Sequence, residues 1–203
     1  MVNETKNNIQ KLEKHFFVKN SINQPTTRKR SFTKAYIVLA HAEIENLFEN
    51  IFLKILDEEY KYWEKHRKAG LFLSYLFMWH NNEVSDKKNN NSKKSDNNYT
   101  DTINRAAHIK SAYQKIINNN HGIQEHYLRD IVKPLGLKIS LVPNTLLINL
   151  KTFSSYRNSI AHTSTMRINQ EYSFNDIKNL IEQILNDIEE LINNIINYHN
   201  SLL

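Results

Sequence analysis

The 203-residue chain carries 27 Lys and Arg against 21 Asp and Glu, a formal charge of +6, and 40% of its residues are apolar. That is enough apolar material for one substantial core, while the absence of cysteine excludes disulfides, thiolate catalysis and cysteine-based zinc sites. With only three Gly and three Pro there is too little turn-forming material for a hairpin-rich fold, so the expected class is all-α: a single up-and-down bundle of long helices over 1–203.

Residues 3–19 place Ile9, Leu12 and Phe16 at helical spacing and predict a first helix, which the stretch Ser21 to Thr27, with Pro25, breaks. The run Arg28-Lys29-Arg30 follows. It suits a phosphate-binding patch for a nucleic-acid substrate, or simply a solvated basic helix start. From about Thr26 to His66 the apolar residues Ile37, Ala40, Ile44, Leu47, Phe48, Ile51 and Ile55 share one face of a long helix. His41 sits at one edge of that stripe with Glu45 one turn later on the same edge, and Glu43 projects from the other. Such a polar edge either orients a site or is a satisfied boundary pair.

Leu71 to Trp79 is apolar on nearly every side but far too short to span a bilayer as a helix. It reads as a buried helix or part of a subunit interface. Asn81 to Asn98 then becomes Asn, Lys, Ser and Asp with a single Val, a composition that cannot offset its own ordering entropy, so a flexible insertion is expected over 81–99. Asp101 is placed to cap the next helix, which ends at Asn118-Asn119-Asn120-His121-Gly122. A short helix over Ile123–Val132 and a break at Pro134 and Gly136 lead to a helix from Pro143 to about Ala161. Ser173 and Asp176 start the last one, whose stripe runs from Phe174 and Ile177 to Ile195 and Leu202.

The opening Met1 to Lys6 has no apolar signal core, no apolar run reaches membrane-spanning length, and the expected location is the cytoplasm. A pI near 9.3 favours a polyanionic partner, because Lys and Arg neutralise phosphates and release counterions. His108, His121, His126 and His199 lack the paired spacing of metal-ligand sets, so no metal and no cofactor are expected.

The densest chemistry is Tyr156-Arg157-Asn158-Ser159-Ile160-Ala161-His162, at the end of an amphipathic helix. Arg157 is a permanent cation whose planar fork suits a phosphate. Asn158 and His162 are one turn apart, so the amide can position the imidazole, which titrates near neutral pH. A cation and an imidazole are a suitable kit for cleaving RNA without metal: activate a 2′-hydroxyl, stabilise the phosphorane, protonate the leaving oxygen. Spacing alone equally allows two cations that cap a helix C-terminus.

Arg157-Asn158-Ser159-Ile160-Ala161-His162 resembles the signature of the HEPN superfamily, and Tyr36 to Phe52, with its Ala-His-Ala-Glu-Ile-Glu core, is similar to the early helix of the RiboL-PSP-HEPN-like subgroup. The resemblance implies a helical bundle that dimerises with the motifs of two copies facing each other. It further implies a metal-independent endoribonuclease in prokaryotic toxin, phage-defence or RNA-processing systems. Arg157 and His162 then take the catalytic roles and Asn158 the supporting polar position, while Glu45 matches the acidic residue of the early helix, with Glu43 and His41 beside it. RNA, a second copy of the chain, and an antitoxin or nucleotidyltransferase are the implied partners. A non-catalytic RNA-binding or protein-interaction module of a two-gene system, and a purely structural dimerisation bundle, are the other readings.

Overall fold

The computed structural model describes residues 1–18, 26–87, 99–162 and 172–201, with side chains described over 1–17, 29–81, 104–161 and 172–201. These residues are helical nearly throughout, with no strand among them: α1 (Val2–Glu13) continuing into a π-helical turn (Lys14–Val18), α2 (Thr26–His66), α3 (Leu71–Lys87), α4 (Tyr99–Asn118), α5 (Glu125–Val132), α6 (Asn144–His162) and α7 (Phe174–Ser201). Two 3₁₀ turns, Lys133–Leu135 and Ile139–Leu141, join α5 to α6.

The long α2 is the helix around which the others pack, with α1, α3, α4, α6 and α7 all in contact with it. Its stripe is buried as its spacing predicts: Ile37, Ala40, Ile44, Leu47, Phe48 and Ile51 face the core, joined by Tyr36, Phe52 and Leu56. Each of the Ile, Leu and Phe side chains among them contributes about 1.5–3 kcal/mol when fully removed from water. Ile55, at the edge of the stripe, is only partly buried. On α7 the residues Ile177, Ile181, Ile184, Ile188, Leu191 and Ile195 form the facing stripe, and the Asp176 N–H donates to Ser173 Oγ at 3.5 Å, closing the helix start. Leu202 lies outside the described residues.

Polar contacts fix the directions of the helices. Asn8 donates to Glu43 and Tyr36 donates to Glu13, both at 3.1 Å, so α1 runs opposite to α2. Tyr36 packs edge-on to Phe174, and His199 approaches Glu59 at 3.7 Å, so α7 runs alongside α2 in the same direction. Asn149 meets Asp187 at 3.4 Å and Ser159 meets Tyr172 at 3.0 Å, which sets α6 opposite to α7 and therefore opposite to α2.

Three expectations are corrected. Helix α3 does not stop at Asn81; it continues to Lys87. Its C-terminal part is braced by α4, where the His80 and His108 rings meet at 5.2 Å, and extending a helix already nucleated costs little per residue. Helix α4 begins at Tyr99, which puts Asp101 inside its first turn instead of at the cap. The remainder of the expected insertion, 88–98, lies outside the described residues. The apolar 71–79 segment is sided after all, with Phe72, Leu73 and Leu76 in the core and Met78 63% exposed.

Candidate functional site

Helices α2 and α6 meet where the His41 ring packs on Phe153, centroids 5.8 Å apart, and His41 Nε2 lies 3.5 Å from Ser154 Oγ. From this contact α6 climbs one turn to Arg157 and Asn158. Helical side chains lean toward the N-terminus of their own helix, which on α6 directs the Arg157 guanidinium back to the level of His41 and Glu45. Its charge acts on both of them. Arg157 Nη1 donates to Asn158 Oδ1 at 3.2 Å, so the amide carbonyl steadies the fork.

A hollow of about 320 Å³ opens beside this pair, lined by His41 from α2, by His121, Gly122, Ile123 and Gln124 from the loop after α4, by His126 and Tyr127 from α5, and by Ser154, Arg157 and Asn158 from α6. The loop has its own internal contacts. Asn120 is buried and its amide donates to the Gly122 carbonyl at 3.2 Å. Gly122 lies directly under the Tyr127 ring, where a Cβ would collide with the ring carbons. His121 between them is exposed.

The electrostatics sort the titratable groups. His41 is 5% exposed, and burial, helped by the Arg157 charge, lowers its pKa from 6.5 to about 4. It is neutral at pH 7, and its Nδ1 lies 3.8 Å from Glu45 Oε2. Burial raises the Glu45 carboxyl above the ordinary range, while Arg157 and His121 pull it back. Glu49, one turn on, is raised by burial and by Glu45, again opposed by His121. The hollow thus joins one fixed cation, an amide and several imidazoles, with carboxylates behind them. That set can hold a phosphate group and move protons.

Of the residues singled out from sequence, Arg157, Asn158, His41 and Glu45 come together here. His162 is the last residue of α6, one turn beyond Asn158; its side chain lies outside the described residues. Glu43 faces elsewhere, accepting from Asn8 of α1. Lys29 and Arg30 are exposed, about 17 Å up α2 from His41, at the end of the bundle toward which α6 points. They do not line the hollow, and the Arg28 side chain lies outside the described residues. His121, His126, Tyr127 and Ser154 were not anticipated as site residues, since a histidine in a helix-ending loop carries no spacing signal. Among the described residues no group of three or more His, Cys, Asp or Glu could hold a metal ion.

The buried His41 makes acid stability testable. Between its native pKa of about 4 and the ordinary 6.5, the unfolded chain binds a proton that the native chain does not, so stability falls as pH falls. The loss from about pH 7.5 to about pH 5 is about 2 kcal/mol. Glu45 and Glu49, raised, act in the opposite sense above 4.5, because the native state then binds protons more readily. Urea unfolding of wild type and His41→Gln at both pH values isolates the imidazole: the variant should lack this acid loss, and parallel pH dependences would contradict the assignment.

An all-helical bundle packed around one long early helix is consistent with a HEPN-type domain. Residues 3–198 match the RiboL-PSP-HEPN family, and the chain belongs to it. No curated protein and no solved structure matches the chain. Family membership is compatible with a ribonuclease or nucleotide-binding role. No helix among the described residues is long and apolar enough to cross a membrane.

Proposed function

We propose that the protein is a metal-independent endoribonuclease of a prokaryotic toxin or phage-defence system. The observation that carries this reading is the Arg157 fork, steadied by Asn158 and set at a hollow with the neutral His41, behind which lies the half-buried Glu45. Arg157 binds the scissile phosphate and stabilises the charge that grows on it. His162, one turn beyond Asn158, takes the proton of the 2′-hydroxyl, whose oxygen then attacks phosphorus. Glu45 and His41 support the fork from behind, and the exposed Lys29 and Arg30, with Arg28, hold flanking phosphates at the same end of the bundle. A homodimer with facing motifs is part of the reading, and Leu39, 42% exposed two residues before His41, is suited to such a contact. An antitoxin or a nucleotidyltransferase would regulate it.

Purified protein incubated with tRNA, rRNA and mRNA should cleave RNA in the presence of EDTA and leave 2′,3′-cyclic phosphate ends. Strict dependence on Mg²⁺ would count against the mechanism. The net charge of +6 favours one further reading, an RNA-binding module without activity. It predicts binding that weakens steeply with salt and RNA profiles identical for wild type and His162→Ala.

A further inference from the structure

Cleavage by 2′-hydroxyl attack needs two proton transfers. The O2′–P bond forms as the 2′-hydroxyl proton passes to a base, and the P–O5′ bond breaks as a proton arrives on the 5′ oxygen. In the proposed mechanism His162 serves the first. Arg157 cannot serve the second, because a guanidinium does not give up its proton in proteins.

Three imidazoles line the hollow: His41, His121 and His126. His41 is unsuited to the task. It is buried and neutral at working pH, and its nitrogens face Glu45 at 3.8 Å and Ser154 at 3.5 Å. His126 is exposed on α5, with its ring against the Tyr127 ring at 3.9 Å between centroids, and it is shared with the neighbouring hollow that contains Arg129 and Lys151. His121 differs from both. It is exposed, it is carried by a loop that the Asn120 amide and the Tyr127 ring hold in place, and its charge acts on Glu45 and Glu49 of α2. It is therefore open to proton exchange with solvent and lines the same hollow as Arg157.

We propose that His121 is the second proton-transfer group of this site, delivering the proton to the 5′ oxygen as the P–O5′ bond breaks. The assignment rests on the ribonuclease reading and deepens it: each chain then contributes an acid as well as a base. In one turnover His162 gains a proton and His121 loses one, and exchange with water restores both. His121 shares the hollow with His41 from α2, His126 and Tyr127 from α5 and Arg157 from α6, and its charge acts on Glu45 and Glu49 of α2.

The test is single-turnover cleavage by wild type, His121→Ala, His121→Gln and His126→Ala, as a function of pH. Two oligoribonucleotides are used, one with the normal 5′ oxygen and one with sulfur in its place, because a thiolate leaves without being protonated. Both His121 variants should lose about 10²–10⁴-fold on the oxygen substrate and lose the limb of the pH profile that falls at high pH. Both should cleave the sulfur substrate within about tenfold of wild type, a rescue that a merely structural loss would not give. Unchanged activity of His121→Ala on the oxygen substrate, equal losses on both substrates, or the same rescue in His126→Ala instead would each overturn the assignment while leaving the ribonuclease reading intact. A wild type that cleaves neither substrate would overturn both.

Discussion

Arg157→Ala should slow single-turnover RNA cleavage by about 10²–10³-fold, the usual cost of removing one fixed donor from developing oxyanion charge, with the fold intact. Arg157 is the permanent cation among the residues that line the hollow. Without it, the carboxylates of Glu45 and Glu49 remain behind that hollow and repel a phosphate, and Asn158 Oδ1 loses the donor it holds at 3.2 Å. Arg157 is only half buried, so the stability change should stay within about 1 kcal/mol. Arg157→Lys keeps the charge but not the planar fork, and an intermediate rate is expected. Circular dichroism melts and cleavage rates on the same preparations separate folding from chemistry. Cleavage by Arg157→Ala within about threefold of wild type would remove Arg157 from the mechanism.

Phe153→Ala should destabilise the protein by about 3–5 kcal/mol, the range for deleting a buried aromatic ring and leaving its cavity. Phe153 is fully buried at the α2–α6 junction and packs against the His41 ring, centroids 5.8 Å apart. Total stabilities are about 5–15 kcal/mol, so this one change removes a large share. Activity should fall with it, because Arg157 is positioned by the turn of α6 that Phe153 anchors. Ile148→Ala, on the same helix but 64% exposed, is the control and should change stability by no more than about 0.5 kcal/mol. Urea midpoints of the two variants give the comparison, and equal midpoints would mean that the junction does not hold the site.

The helices were legible because their signal is local. Apolar residues three and four apart define a face wherever the helix ends up, and the stripes on α2 and α7 are buried largely as their spacing implies. Helix α6, with Arg157 and Asn158 on its last turns, was visible for the same reason, as was the His41–Glu45 adjacency, an i,i+4 relation within one helix. The end of α3 was not. Polar composition argues against order on average, but residues 81–87 extend a helix already nucleated and braced by α4.

What the sequence by itself determined is the all-helical class, the core stripes and the placement of Arg157, Asn158 and His162 on one helix end, since each depends on residues within a few turns of one another. The tertiary structure decided which of the flanking polar residues belong with them. Glu43 and Glu45 are two residues apart, yet one is drawn to Asn8 of α1 and the other faces Arg157. His41 stays neutral down to about pH 4 because burial at the contact with Phe153 and Ser154 of α6, helped by the Arg157 charge, disfavours its cationic form. His121, 36 residues before Arg157 in the chain, reaches the hollow only because α4 runs back along α2, with Lys110 at Asp57 and His121 near Glu49. Helical periodicity has a memory of a few residues. The site is assembled from helices whose mutual directions are set by packing, and no spacing in the chain records them.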